Sequence, residues 1–207
     1  MPGSTKVVVV SLEPDVIDLI SAEPVYEVLG FLDRAGITDV HLPNLGDDTA
    51  WPDLKRLHPG LRVVLAIDPP AMRRRLAHFF GLENLETVVS TNAFVSPVVE
   101  LGAGAIMQRG TYVGRNSRLE TCVKINIGAQ IHHDCRLGAY TTVAPGARLL
   151  GRVEAGPGCY IGAEAVILPK VRLGADVVIG AGAVVTGDVP AGARIKGIPA
   201  RTREAGE

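Results

Sequence analysis

Two adjacent histidines followed by an aspartate, His132-His133-Asp134, are the residues of this chain best suited to chemistry. An imidazole with an ordinary pKa of ~6.5 can take or give a proton at neutral pH. A neighbouring carboxylate can orient the ring or favour its charged form. The combination suits removal of a proton from an attacking nucleophile. It does not make a catalytic zinc centre by itself, because such a centre draws on three protein ligands. His41, His58 and His78 are isolated and read as structural or solvated. Arg73-Arg74-Arg75 reads as a solvated helix face, with the alternative that one arginine reaches a phosphate.

The element that must position these histidines is a repeat. Every sixth residue from Val95 to Val185 is Val, Leu, Ile or Met, with Ala155 the one exception. A second frame, four residues later in each hexad from Val99 to Val189, holds only small or β-branched residues, Cys135 and Cys159 among them. Gly follows the large residue at 102, 114, 138, 156, 162, 174 and 180, where it is expected to ease a strained corner. This is the hexapeptide signature of a parallel β-helix, here of about five triangular coils. The frame has no insertion, so residues eighteen apart should stack. His133 then lies between Arg115 and Gly151, Asp134 between Asn116 and Arg152, and Asn126 between Gln108 and Ala144. None of His132, His133 and Asp134 points into the core. Neither histidine has another eighteen residues away, which argues against a three-histidine metal site of the kind γ-type carbonic anhydrases use.

Residues 1–90 have a different pattern. Strands are expected over Lys6–Val10, Val25–Leu32, Asp39–Leu42 and Arg62–Ile67, with Thr87–Ser90 the last strand before the coils. Helices are expected from Pro14, over Thr49–Leu57, and over Pro70–Phe80 with Met72, Leu76, Phe79 and Phe80 on its apolar face. Alternation of this kind indicates a small, Rossmann-like parallel α/β domain. The expected organisation is an α/β domain for acceptor binding over 1–90, a β-helix over 91–190 and a C-terminal tail over 191–207.

A net charge of -1 gives no reason to invoke nucleic acid or an anionic membrane. The apolar run Val7–Val10 is far too short to span a bilayer, and no signal-peptide pattern precedes it. Three cysteines do not suggest a disulfide framework. Cys135 and Cys159 read as core and Cys122 as a residue that could be exposed; a reducing cytoplasm is the expected location.

The order of these parts resembles the hexapeptide-repeat amino-sugar and sialic-acid acetyltransferase family, whose best-known members acetylate UDP-4-amino sugars for bacterial glycans. The resemblance rests on YEVLGFLD (26–33), INIGAQIHHDC (125–135), APGARLLGRV (144–153), IGAEAVILPKVRLG (161–174), VVIGAGAVVTGDVP (177–190) and the GIPAR tail. It implies a left-handed β-helix, a homotrimer with active sites between subunits, acetyl-CoA as donor and no metal. It implies His133 as general base with Asp134 orienting or polarising it. It also implies that Asn126 contacts the acceptor sugar and Asp33 the nucleotide base. Gly151 would offer its N–H to the acetyl group, and Ala163 and Ala181 would line the pantetheine groove.

Four positions depart from the family pattern. Ser11-Leu12-Glu13-Pro14-Asp15 stands where UDP-sugar binders carry a glycine-rich G-x-S-G-H-G turn, and Glu13 and Asp15 would repel an anion. Ala66-Ile67-Asp68 replaces A-I-G, and His132 replaces an acid. Thr142 replaces a histidine, leaving a hydroxyl that could still donate to the acetyl group. The expected function is N-acetylation of an amino sugar, nucleotide-linked in the family. O-acetylation of a sugar and a non-catalytic trimeric scaffold stand as alternatives.

Overall fold

The computed structural model describes residues 4–34 and 41–196, together with the backbone of 201–203. Its first part is built on β1 (Thr5–Val10), whose four valines Val7–Val10 are buried on both sides. A strand apolar on both faces needs cover on both faces, and helices supply it. β1 is the centre of a parallel sheet, between β2 (Tyr26–Leu32) and β3 (Arg62–Leu65). α1 (Pro14–Ala22) starts with Pro14 in its first turn and buries Val16, Ile17, Leu19 and Ile20. α2 (Trp51–Leu57) follows a single 3-10 turn at Asp48–Ala50, and α3 (Pro70–Phe80) follows β3.

Three expectations for this part need correction. Of Asp39–Leu42, the first two residues lie outside the described ones, and His41 and Leu42 form a bend; the pairing falls to Asn44, which bridges Phe31. The buried face of α3 is Arg73, Leu76, Ala77 and Phe80, while Met72 and Phe79 are exposed. Val88–Val89 pairs in parallel with Ile106–Met107, so it is the first strand of the coil stack rather than a strand before it.

From there two-residue strands recur every six residues and build three parallel faces. Face I runs from Val88–Val89 through Ile106–Met107, Lys124–Ile125, Thr142–Val143, Tyr160–Ile161 and Val178–Ile179 to Arg194–Lys196. Face II runs from Phe94–Val95 through Tyr112–Val113, Gln130–Ile131, Arg148–Leu149 and Val166–Ile167 to Val184–Val185. Face III runs from Glu100–Leu101 through Arg118–Leu119, Arg136–Leu137 and Glu154–Ala155 to Arg172–Leu173. The inward ladder, including Ile125, Ile131, Val143, Leu149 and Ile161, is fully buried. Arg194–Lys196 also pairs antiparallel with Arg201–Arg203, and residues 197–200 of the GIPAR tail lie outside the described ones.

The glycines that follow the large residues do not provide the strained corner. Left-handed φ falls two residues later, as at Asn116 (59°), Asp134 (60°) and Arg152 (65°), which stack on one corner. The earlier glycines are required by distance between coils: a Cβ on Gly138 would lie 2.5 Å from Pro157 N, and one on Gly162 2.6 Å from Ala181 N. Backbone this close leaves no room for a side chain.

The α/β part sits on face I through buried cations. Arg73 is fully buried and donates from Nε to Cys122 O, from Nη1 to Ile67 O and Asp68 O, and from Nη2 to Tyr140 O and Thr142 Oγ1, all at 2.8–2.9 Å. Burial pulls its pKa down to about 10, which leaves it charged at neutral pH. Lys124, 1% exposed, donates to Ala66 O and Asp68 Oδ1 at 2.7 Å. Arg73 is therefore not part of a solvated helix face, and Cys122 is buried under α3 rather than exposed. Arg73→Ala should cost about 3–5 kcal/mol, because four carbonyls and a hydroxyl would lose their buried donor. Arg74, exposed on the same helix, has only surface partners, Asp176 at 3.4 Å and the face of the Tyr140 ring at 5.4 Å. Arg74→Ala should cost no more than about 1 kcal/mol in the same denaturation experiment.

Candidate active site

His133 sits on the turn that leaves face II for face III. Its backbone is clamped by the coils on either side: Arg152 N donates to His133 O and Asp134 N donates to Arg115 O, both at 2.9 Å. Gly114 permits the close approach, since a Cβ there would lie 2.8 Å from His133 N. The imidazole itself is 57% exposed.

Three groups settle its orientation. His133 Nδ1 lies 2.7 Å from Asp134 Oδ2. Asp134 Oδ1 accepts from Asn116 Nδ2 at 3.2 Å, and Arg152 Nε lies 3.8 Å from Oδ2. The bond from His133, then the one from Asn116, hold the Asp134 carboxyl below its ordinary pKa. An ionised carboxylate only accepts, so Nδ1 carries the proton in the neutral ring and Nε2 carries the lone pair. The Nε2 edge lies over Gly151, where a Cβ would come within 2.6 Å of Nε2. The arrangement is a basic nitrogen with a fixed tautomer, facing outward above a bare backbone.

The other residues singled out in the sequence lie elsewhere. Asn126, Ala163 and Ala181 occupy the corner between faces I and II, the opposite edge of face II from His133. Ala163 and Ala181 lie in stacked turns, with Gly182 N donating to Ala163 O at 2.8 Å. Asn126 is 4% exposed; its Oδ1 accepts from Gln108 Nε2 at 3.2 Å and its Nδ2 has no partner among the described residues. Asp33 ends β2 at the carboxyl edge of the α/β sheet, where its Oδ2 lies 3.4 Å from Leu12 N. Thr142 is a correction. Its hydroxyl is fully buried under α3, donates to Asp68 O at 2.9 Å and accepts from Arg73, so it has no proton to offer an acetyl group. His132 turns toward face II, its ring 6.2 Å from that of Tyr112.

Sequence reasoning missed Lys124 and Asp68. A signal was present: Lys124 and Thr142 are eighteen apart on an outward column, and two of the departures from the family, Asp68 and Thr142, meet there. Among the described residues no three His, Cys, Asp or Glu side chains gather where a metal ion could bind. A groove on face III, lined by Arg118, Arg136, Gly138, Gly156, Arg172 and Gly174, turns away from His133. Gly151→Ala should displace the exposed imidazole rather than the backbone, lowering kcat by about 10²-fold with an unchanged melting temperature. Steady-state kinetics beside a thermal melt checks both halves.

Residues 156–187 match the family model described as bacterial transferase hexapeptide (six repeats). A GDP-perosamine N-acetyltransferase of Escherichia coli O157:H7 is 36% identical over 100 residues, 47% of this chain; the chain spans about half that relative's length, 45%. Among solved structures, PerB from Caulobacter crescentus, in complex with CoA and GDP-perosamine, is 32% identical with a TM-score of 0.89, over 99% of each chain. The acetyltransferase domain of PglB from Neisseria gonorrhoeae FA1090, in complex with acetyl coenzyme A, is 27% identical with a TM-score of 0.90, over 97% of this chain and 100% of that one. With this match along its whole length, the chain belongs to the hexapeptide-repeat, left-handed β-helix family of sugar acetyltransferases.

Proposed function

We propose that this protein transfers the acetyl group of acetyl-CoA to the amine of an amino sugar, with His133 as general base. The observation that carries the reading is the 2.7 Å bond between His133 Nδ1 and an ionised Asp134, which leaves Nε2 free and outward. The neutral amine attacks the thioester carbonyl; a C–N bond forms and the carbonyl oxygen takes negative charge. His133 Nε2 accepts the proton that the nitrogen must lose. The C–S bond then breaks, and CoA departs as the thiol, taking up one proton. Asp134 favours the imidazolium that forms in between. Gly151, whose bare backbone adjoins the Nε2 edge of the ring, would offer its N–H to the developing oxyanion.

The same reading calls for a trimer. In one chain His133 stands on a ridge, and the residues assigned to the acceptor and the donor lie on the far edge of face II. A threefold arrangement with face II toward the axis brings the His133 corner of one subunit against the Asn126, Ala163 and Ala181 corner of the next. The outward column of face II supports this. Phe94 and Tyr112, at one end of the column, are 55% and 42% exposed and stack on each other at 5.2 Å; the half-buried Val166 and Val184 lie at its other end, with Gln130 and Arg148 between. Exposed apolar side chains grouped in this way mark an interface. Three unpaired, buried cysteines fit the cytoplasm, and no helix among the described residues is long and apolar enough to cross a membrane.

Release of CoA thiol with a panel of free and nucleotide-linked amino sugars tests the activity, with mass spectrometry on the product separating amide from ester. His133→Ala should lower kcat by about 10²–10⁴-fold without changing the melting temperature. Full activity in that variant, or no thiol release with any amino sugar, overturns the reading. Tyr112→Glu combined with Val166→Glu should yield monomers in sedimentation and abolish transfer; an active monomer would refute the shared site.

A further inference from the structure

The α/β part has its own ligand geometry, and its chemistry is unusual for its topology. Sheet order β2-β1-β3 places a switch point between β1 and β3, and in open parallel sheets ligands enter the crevice at the carboxyl ends of the strands there. Phosphate groups commonly bind at such points, on free N–H groups at the start of the helix after β1. Here those donors are missing or engaged. Glu13 N donates to Ser11 O at 3.1 Å, Leu12 N points at Asp33 Oδ2, and Pro14, in the first turn of α1, has no N–H. Val16 N and Ile17 N both donate to Glu13 O. Asp15 N remains, on a residue that carries a carboxylate itself. Ser11 holds a left-handed φ of 74° with a side chain in place, where a glycine would let a ligand closer.

The charges agree with the donors. Glu13 stands just past β1 and Asp68 just past β3, close enough that the Asp68 carboxylate raises the cost of ionising Glu13. Burial is the larger cause of the raised pKa of Glu13, and Lys124 opposes it. Lys124 and Arg73 are the cations bonded to the β3–α3 connection there, and both are already engaged, Lys124 by Asp68 Oδ1 and Ala66 O and Arg73 by Ile67 O and Asp68 O. Tyr160, the next outward residue of face I beyond Thr142, feels both Asp68 and Glu13. Glu13 forms no hydrogen bond as the N-terminal cap of α1, so its carboxylate is not required there for the fold.

We propose that Glu13 and Asp68 are specificity-determining residues that bar a diphosphate from the β1/β3 crevice, so that the acceptor enters it through uncharged hydroxyl groups. The preferred acceptor is then an amino sugar with no diphosphate at that point. This rests on the proposed acetyl transfer for the identity of the ligand as an acceptor, but its decisive measurement does not need turnover.

Titration calorimetry on the full-length protein, with UDP and GDP as probes, reads the exclusion directly. Wild type should bind either nucleotide only in the millimolar range. Glu13→Gln should tighten binding by about tenfold, because juxtaposed like charges disfavour association. Asp68→Asn, which leaves the charge of Lys124 without an opposing carboxylate, should tighten it further. Wild-type affinity better than about 0.1 mM that neither variant improves would overturn the proposal, even for an active enzyme. In the activity assay, a methyl glycoside of a 4-amino sugar should show a kcat/KM at least equal to that of its nucleotide-linked counterpart. A preference of tenfold or more for the nucleotide-linked acceptor would overturn it as well. Absence of thiol release with every acceptor would sink the acetyltransferase reading and leave the calorimetric result to stand or fall alone.

Discussion

Every outward-facing group on the β-helix is placed by hydrogen bonds between one coil and the next. Gln130 N donates to Ala147 O and Arg148 N to Ala165 O, each at 2.8–2.9 Å, and the ladder repeats at eighteen residues until the last coil, where Leu173 pairs with Val189 and Val178 with Arg194. That register has two consequences. Large aliphatic residues meet only one another inside, which makes the stack a continuous dry core. Outside, a residue's neighbours along the axis are decided by sequence position alone. His133 therefore has Arg115 one coil before it and Gly151 one coil after it, whatever its side chain does. The turn it occupies is held at two backbone bonds, so the imidazole needs only one further contact, to Asp134, to have a defined orientation.

The second constraint is the covered face. Lys124 and Thr142 project outward from face I, where a free β-helix would be wet, and the α/β part lies over them. Desolvated cations are tolerable because Arg73 and Lys124 find an oxygen for nearly every proton they carry. These acceptors belong to the β3–α3 connection and to the coil edge at Cys122 and Tyr140. The network consequently ties the carboxyl edge of the small sheet to the coils that carry Asn126. Asp68 belongs to it twice, through its carboxylate on Lys124 and its carbonyl under Arg73 and Thr142. The same residue both fastens the two parts and faces the crevice, so its side chain joins stability to selectivity.

These two constraints explain what was legible in the sequence. The coil stack could be read because inward positions admit only one residue class at a fixed period. Ile131 and Cys135, both inward, showed that His132, His133 and Asp134 are outward, and the register put Gly151 over the ring. Arg73 could not be read from helical periodicity, because its burial depends on carbonyls supplied by Cys122 and Tyr140, far along the chain. Met72 and Phe79 were placed on the wrong side of α3 for the complementary reason: hydrophobicity alone marked them as buried, and the partner surface selects Arg73, Leu76, Ala77 and Phe80. The glycines after the large residues were visible, but their cause has no trace in the local sequence: a Cβ on Gly102, Gly114, Gly138, Gly156 or Gly162 would lie 2.5–2.8 Å from the backbone of the next coil. Thr142 illustrates the same limit, since its partner oxygen belongs to Asp68.

A base on an exposed corner is a poor catalyst alone, because water competes for its lone pair and nothing fixes the substrate against it. The geometry gives this corner a sharp orientation and leaves it without walls. The opposite edge of face II has the reverse character: Asn126, Ala163 and Ala181 offer surface and hydrogen-bonding groups but no titratable side chain among them. In the proposed ring of three, each such edge would meet its complement, and three complete sites would arise from six half-sites, one on either edge of every face II. In that trimer the α/β part of one subunit, fastened to face I beside the Asn126 corner, would overlook the base of its neighbour. The proposed acceptor crevice and the proposed base would then come from different chains, with the interdomain network of Arg73, Lys124 and Asp68 setting their separation as much as the proposed interface.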